Sequence, residues 1–259
     1  MGAAMAGAVD LAGLPLAGLE AVFLDAGNTL VGIDVDLLVD RLAAHSIRVS
    51  AGQMARAEAA ARPAVSRRLE GGVSSEARDT FTFYLRSALD HLGPATEGAG
   101  VADLDAIAAE LATDLKTRVT TRRLWSRVLP GVPEALRRLR DAGLSLVVVS
   151  NSDGTIAGGL EEAGLGGMLD AVVDSAVVGV EKPDPHIFRI ALERAGSAPD
   201  RTAHVGDLHA VDVLGARAAG LHGILLDPFG DWGDCDCPKV ADVAGLADAV
   251  LAARRGGRP

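Results

Sequence analysis

Aromatic residues, lysine and cysteine are all scarce in this sequence. Only 3% of the 259 residues are aromatic although 49% are hydrophobic, so we expect a core built mainly from alanine, valine and leucine. This length is enough for one large domain or for a core with a smaller second domain. Lysine occurs only as Lys116, Lys182 and Lys239 among 25 basic residues. A position that keeps lysine is therefore a candidate for a site that needs a compact ammonium group.

The two cysteines, Cys235 and Cys237, are separated by one residue. This spacing makes them poor disulfide partners, and two thiols alone do not complete a zinc site. We therefore interpret them as small residues of a loop near the C-terminus.

The chain has no excess of basic residues and no long apolar run. Its formal net charge of -10 argues against a non-specific binder of nucleic acids or anionic membranes, which would need a basic face. No apolar stretch reaches the length of a membrane span, and residues 1–20 contain no lysine or arginine to begin a signal peptide. We expect a cytoplasmic monomer or homodimer whose residues 1–18 form a flexible N-terminal extension.

Short apolar runs that each end in a polar residue predict buried parallel strands. They lie at residues 21–24, 144–149, 203–205 and 223–226, with a weaker one at 171–173. Helical patterns separate them, at residues 132–141, 154–163, 185–195 and 211–219. This alternation predicts an α/β fold with a Rossmann-like parallel sheet core and helices on both faces.

The pattern changes between residues 34 and 125, where only helical periodicity is visible. Four helices are indicated, at residues 36–47, 53–69, 81–92 and 104–115, the second disturbed by Pro63. We interpret residues 34–125 as a small all-helical cap domain inserted into a core formed by residues 19–33 and 126–259.

Polar residues suited to phosphoryl transfer follow the predicted strands. Asp25, Ser150 and Asp207 each stand at or just after a strand end, and Lys182 lies in a loop before a helix. Ligands bind at the carboxyl ends of strands in open α/β sheets. There, one carboxylate could attack phosphorus, others could hold Mg²⁺, and a hydroxyl and an ammonium could hold the phosphoryl oxygens. A single strand-end Asp is more often a cap, but four such groups in order are harder to explain that way.

Four segments resemble the motifs of the haloacid dehalogenase superfamily. They are residues 23–30, 147–151, 179–188 and 204–220, and the third and fourth are the most specific. The helical insert is similar to the cap that one branch of the superfamily carries directly after its first motif. The resemblance implies a magnesium-dependent hydrolase, most often a phosphatase of a small phosphorylated substrate.

The resemblance also implies individual roles. Asp25 would be the nucleophile and a Mg²⁺ ligand, and Ser150 and Lys182 would bind the phosphoryl group. Asn151, Asn28 and the backbone of Gly27 would add phosphate contacts. The metal ligands would be Asp25, the Gly27 carbonyl and Asp207, with Asp212 supporting either the metal or Lys182.

Gly27 departs from the phosphatase pattern, which has an Asp at this position to protonate the leaving group and activate water. A positioned acid or base typically contributes ~10²–10⁴-fold to the rate. Either the enzyme is slow, another group such as His209 or Asn28 substitutes, or the leaving group needs no proton. A catalytically weak or inactive protein that binds a phosphorylated ligand or a protein partner is the alternative.

Other relatives fit less well. The metal-independent dehalogenases have a different fourth motif, and the phosphonate-cleaving members use a cap lysine, for which only Lys116 is available; we interpret it as a surface residue. A receiver domain would be about half as long and would lack the insert. The polar residues of the cap, such as Arg62, Arg67, Arg68 and Tyr84, do not identify a substrate.

Overall fold

The computed structural model describes residues 10–96, 101–116 and 123–256. The chain divides into two compact units, an α/β unit of Met1–Gly32 and Val128–Pro259 and a helical unit of Ile33–Arg127. The helical unit is longer than the predicted insert by one residue at its start and by two at its end.

The described residues contain the strands β1 (Ala21–Leu24), β2 (Val31–Ile33), β3 (Trp125–Val128), β4 (Ser145–Ser150), β5 (Ala171–Asp174), β6 (Thr202–Gly206), β7 (His222–Leu226) and β8 (Lys239–Val240). Six of them form the parallel sheet of the α/β unit, of which the sequence predicts five strands but not the two-residue strand β8. The order in the sheet is β5-β4-β1-β6-β7-β8. The central strand β1 pairs with β4 on one side and with β6 on the other, so both neighbours bring their carboxyl ends beside its own.

The described helices of the helical unit are α1 (Val35–Ala43), α2 (Ala51–Leu69), α3 (Arg78–Asp90) and α4 (Val101–Leu115). Those of the α/β unit alternate with the strands of its sheet and are α5 (Val132–Asp141), α6 (Ile156–Glu162), α7 (Ser175–Val178), α8 (Pro185–Ala195), α9 (Leu214–Ala218) and α10 (Val243–Gly256). A π-helical turn at His209–Val213 precedes α9, where the sequence predicts one continuous helix from residue 211.

The core lies on both faces of the sheet because neighbouring residues of a strand point to opposite faces. Val22 and Leu24 pack in one buried cluster, which includes Leu136 of α5. Phe23 packs in the other, with Phe188 of α8. This two-sided burial confirms the predicted α/β class and explains why the strands are apolar without alternation.

In the helical unit, α2 begins at Ala51 because Ser50 and Gln53 form a reciprocal capping box. Pro63 lies inside α2 without ending it. None of the described helices is both long and apolar enough to cross a membrane.

Two predictions need correction. Trp125 does not end a purely helical insert, because it begins β3, which pairs with β2 in a two-stranded sheet. The part of the N-terminal segment that the structure describes is not a detached extension, since Asp10 bridges Lys239, Leu11 is buried, and Leu16–Gly18 forms a 3-10 helix. Residues 1–9 lie outside the described residues.

Candidate active site

Asp25 and Asp207 lie at the same edge of the sheet because β1 and β6 are parallel neighbours in register. Leu24 is opposite Val205, and the Asp25 amide continues the ladder by donating to the Val205 carbonyl at 2.8 Å. Both carboxylates are nearly buried, with 8% and 5% of the residue exposed. This arrangement is consistent with the prediction that the carboxyl ends of these strands lie close together.

Lys182 connects Asp25 to Asp212. Its ammonium nitrogen Nζ donates to Asp25 Oδ1 at 2.6 Å and to Asp212 Oδ1 at 2.7 Å. Only 2% of Lys182 is exposed. Asp212 Oδ2 accepts from the backbone N–H of Leu208 at 2.9 Å. Both oxygens of Asp212 therefore accept hydrogen bonds, which hold its side chain between Lys182 and the loop after β6.

His204 is a member of this cluster that the sequence analysis did not identify. Its Nε2 lies 3.0 Å from Asp212 Oδ1, and its ring packs edge-on against Phe188 with centroids 5.0 Å apart. Burial lowers the pKa of His204, although Asp212 works in the opposite direction. The sequence signal was present, since a histidine interrupts an apolar strand one position before Val205-Gly206-Asp207.

The cluster has an excess of negative charge. Asp25, Asp207 and Asp212 are three buried carboxylates, and Lys182 is the cation that contacts two of them. Burial raises the pKa of Asp25 to about 6, because Lys182 offsets the cost of desolvation only in part and Asp212 adds to it. Burial would also raise the pKa of Asp212, but Lys182 and His204 outweigh it and hold that pKa well below its usual range.

Asn151 holds the backbone of Lys182. Its Nδ2 donates to the Lys182 carbonyl at 2.9 Å, and its Oδ1 accepts from the Lys182 N–H at 2.7 Å. The Asn151 side chain therefore positions Lys182, and the phosphate contact that the resemblance implies for it stays a prediction. Ser150 is buried at the end of β4, and its hydroxyl makes a long 3.5 Å contact with the Asn151 carbonyl.

Gly27 and Asn28 form the turn that follows Asp25. Asn28 has a left-handed backbone with φ of 55°, a conformation that asparagine tolerates better than most residues. Its Nδ2 donates to Asp207 Oδ2 at 3.1 Å, which links the turn to the end of β6. Gly27 is not among the described glycines with positive φ.

Three other residues named from the sequence lie in other surroundings. The His209 ring is 6.4 Å from that of Trp232, and a ring nitrogen lies within 4.8 Å of both cysteine sulfur atoms. Lys116 is exposed and donates to the Glu76 carbonyl at 3.0 Å within the helical unit. Arg62 is not available as a surface charge, because it is buried in an ion pair with Glu58.

Comparison with known proteins agrees with this geometry. Residues 19–220 match a family model described as haloacid dehalogenase-like hydrolase. Over 128 residues the chain is 41% identical to haloacid dehalogenase-like hydrolase domain-containing protein 3 of Bos taurus, a match that covers 49% of this chain and 50% of the relative. It is 40% identical over 105 residues to phosphoserine phosphatase of Thermus thermophilus, covering 39% and 42% of the two chains. The matched segment spans about half the length of these curated relatives.

A solved structure shows the same fold. The HAD-hydrolase YfnB from Bacillus subtilis, bound to magnesium, superposes with a TM-score of 0.56 at 18% identity and covers 90% of this chain and 99% of that one. At this identity the likeness concerns the fold alone.

Proposed function

Because the chain belongs to the haloacid dehalogenase-like hydrolase family, we propose that it is a phosphatase. It would act on a small phosphorylated metabolite and form an aspartyl phosphate on Asp25. The observation that carries this proposal is the contact of the buried Asp25 carboxylate with the Lys182 ammonium at 2.6 Å. A nucleophile and a fixed cation are thus held together at the edge of the sheet where ligands bind. The phosphatases among the relatives support the same chemistry.

The charges of the cluster fit a magnesium ion. Three buried carboxylates with one ammonium leave two formal negative charges, and carboxylate oxygens are the ligands that Mg²⁺ prefers. Asp25, Asp207 and the Gly27 carbonyl would hold the ion. When bound, it would polarise the phosphoryl group and neutralise its charge. Asp212 is assigned to positioning Lys182, since both of its oxygens already accept protein hydrogen bonds.

The chain's own residues would carry the two chemical steps. In the first, a carboxylate oxygen of Asp25 forms a bond to phosphorus while the bond from phosphorus to the leaving oxygen breaks. The Ser150 hydroxyl and the Lys182 ammonium hold the phosphoryl oxygens during this transfer. In the second step, the oxygen of a water molecule bonds to phosphorus while the bond from phosphorus to the Asp25 oxygen breaks. Asp25 is released as a carboxylate, and the protons of the water remain on inorganic phosphate or pass to solvent.

Gly27 places a limit on the second step. A glycine has no side chain to activate the water, so we expect a rapid burst of product from p-nitrophenyl phosphate, whose leaving group needs no proton, followed by slow turnover. Because Gly27 does not have a positive φ, its backbone conformation does not require glycine, and we expect Gly27→Asp to raise the steady-state rate. Rapid-quench kinetics of both proteins test this. Fast turnover of alkyl phosphates without a burst would show that another residue moves the proton.

The general proposal is tested with a panel of small phosphomonoesters in Mg²⁺. Asp25→Asn should abolish turnover, because an amide is not a competent nucleophile. Asp174→Asn is the matched control: Asp174 is also buried at a strand end, but it caps α7, a role that asparagine fills. In calorimetry, Asp207→Asn should weaken Mg²⁺ binding, and equal affinity in the two proteins would contradict the metal assignment.

Gly27 also supports a second candidate, a protein that binds a phosphorylated ligand without turning it over. This candidate predicts saturable binding of phosphate compounds with no burst and no turnover on the panel. An Asp25-dependent burst would exclude it.

A further inference from the structure

A second group of possible metal ligands lies outside the carboxylate cluster. His209, Cys235 and Cys237 each place one ligand atom so that all three atoms lie within 4.8 Å of one another. The two sulfur atoms are 3.1 Å apart. His209 comes from the turn after β6, whereas the cysteines come from the loop between β7 and β8. The fold thus supplies the third ligand that the cysteine spacing alone does not provide.

Hydrogen bonds shape the loop that carries the cysteines. At its start, Asp227 Oδ1 accepts from the backbone N–H groups of Gly230 and Asp231, both at 2.9 Å. Arg217 donates to the carbonyl of Asp236, which lies between the two cysteines, at 2.8 Å. The Cys237 N–H donates to the Cys235 carbonyl at 2.8 Å. The two sulfur atoms therefore project from a turn that is bonded to the rest of the α/β unit.

Two thiolates and one imidazole form a ligand set suited to zinc. Zn²⁺ binds cysteine sulfur and histidine nitrogen in tetrahedral geometry, and sites with three protein ligands leave the fourth position to water or another ligand. Mg²⁺ prefers oxygen ligands and is not expected here. We propose that His209, Cys235 and Cys237 bind one Zn²⁺ ion, whose fourth ligand comes from outside this triad. The interpretation of the cysteines as ordinary loop residues is revised accordingly.

Binding at this site must displace protons. Cysteine binds zinc as the thiolate, whereas a thiol with an ordinary pKa of about 8.5 mostly carries its proton near neutral pH. As each zinc–sulfur bond forms, a thiol proton passes to solvent, and no oxidant or reductant is required.

The proposal is tested on the full chain after reduction and removal of metals, in the absence of oxygen and with excess Mg²⁺ present. Zn²⁺ titration should give about one ion per wild-type chain. Cys235→Ser combined with Cys237→Ser should abolish this binding, and His209→Ala should weaken it. His45→Ala is the matched control, because His45 is a half-buried histidine of the helical unit. Co²⁺ in place of Zn²⁺ should give the charge-transfer absorption of thiolate–cobalt bonds in the wild type.

The carboxylate cluster could also take up zinc, and the variants separate the two sites. Asp207→Asn should retain the thiolate–cobalt absorption, whether or not the proposed phosphatase activity exists. Zinc binding that survives when the double cysteine change is combined with Asp207→Asn, or cobalt bound to Asp207→Asn without thiolate absorption, would overturn the proposal. A reduced wild type that binds no Zn²⁺ and forms a Cys235–Cys237 disulfide in air would also overturn it and would assign the pair to redox chemistry.

Discussion

Asp25 and Asp212 accept hydrogen bonds from the same ammonium group, yet they should respond in opposite ways when each is changed to asparagine. Burial raises the pKa of Asp25 to about 6 from its ordinary value of 3.8. The pKa of Asp212 instead falls, because Lys182 and His204 outweigh its desolvation. The ionised form of Asp25 therefore costs stability in the folded protein, whereas the ionised form of Asp212 adds to it.

The expected size follows from the Asp25 pKa. The pKa of Asp25 is higher in the folded than in the unfolded protein. The contribution of Asp25 to the free energy of unfolding is therefore fully present below pH 3.8 and is lost as the pH rises through about 6. The difference corresponds to about 3 kcal/mol, at about 1.36 kcal/mol per pKa unit. Asp25→Asn removes the ionisation, while its amide oxygen can still accept from Lys182. We expect this variant to be more stable than the wild type by up to about 3 kcal/mol at about pH 8, and by much less at about pH 4.5.

Urea denaturation without Mg²⁺ at both pH values measures the effect. Asp212→Asn serves as the control from the same cluster and should lose about 3–5 kcal/mol near neutral pH, because Lys182 and His204 make the ionised form of Asp212 the one that stabilises the folded protein. If Asp25→Asn were less stable than the wild type at about pH 8, or if its advantage did not change with pH, burial would not control the ionisation of Asp25.

Three further substitutions test other parts of the structure. Lys182→Arg should lower turnover by about 10²–10³-fold, because a planar guanidinium does not fit where a compact ammonium contacts two carboxylates; steady-state kinetics with a thermal melt separate this from unfolding. Gly206→Ala would place Cβ 2.1 Å from Cγ of Asp212 and should lower the free energy of unfolding by about 1–3 kcal/mol in urea denaturation. Gly167→Ala is the control, because a Cβ at Gly167 would have no neighbouring atom within 4 Å and should leave the free energy of unfolding unchanged. Glu58→Gln removes the negative partner of the buried Arg62, whose guanidinium nitrogen lies 2.6 Å from Glu58 Oε2. Urea denaturation should show a loss of about 3–5 kcal/mol in the free energy of unfolding, and a loss below about 1 kcal/mol would mean that the pair behaves as a surface ion pair.

The sheet was predictable because local sequence is enough to define a buried parallel strand. The run at residues 21–24 is apolar throughout, and the polar residue that follows each strand marks the edge where the strands converge. Helix α8 was predicted to its limits since both ends carry local signals. Asp184 caps the first turn, and Gly196 ends the helix with φ of 63°.

Features that depend on distant contacts were not predictable. Strand β2 has three residues and pairs with β3, which lies on the far side of the helical insert, so no periodicity indicates it. The choice for Asp212 between metal and Lys182 depends on which atoms face its two oxygens. The position of Asn151 against the Lys182 backbone likewise arises from two loops that meet only in the folded chain.

The two proposed sites constrain each other through His209. Gly27 would leave the proposed phosphatase without the acid or base that the resemblance implies, and His209 is a residue that the sequence offers as a replacement. An imidazole nitrogen bound to zinc has donated its lone pair to the metal and does not accept a proton from water. If zinc binds at His209, Cys235 and Cys237, the burst from p-nitrophenyl phosphate should therefore persist in zinc-loaded protein. If His209 instead serves as the base, removing zinc should speed the second step, and His209→Ala should slow it in metal-depleted protein supplied with Mg²⁺. The rate of aspartyl-phosphate hydrolysis, measured with and without zinc, decides which of these roles His209 has.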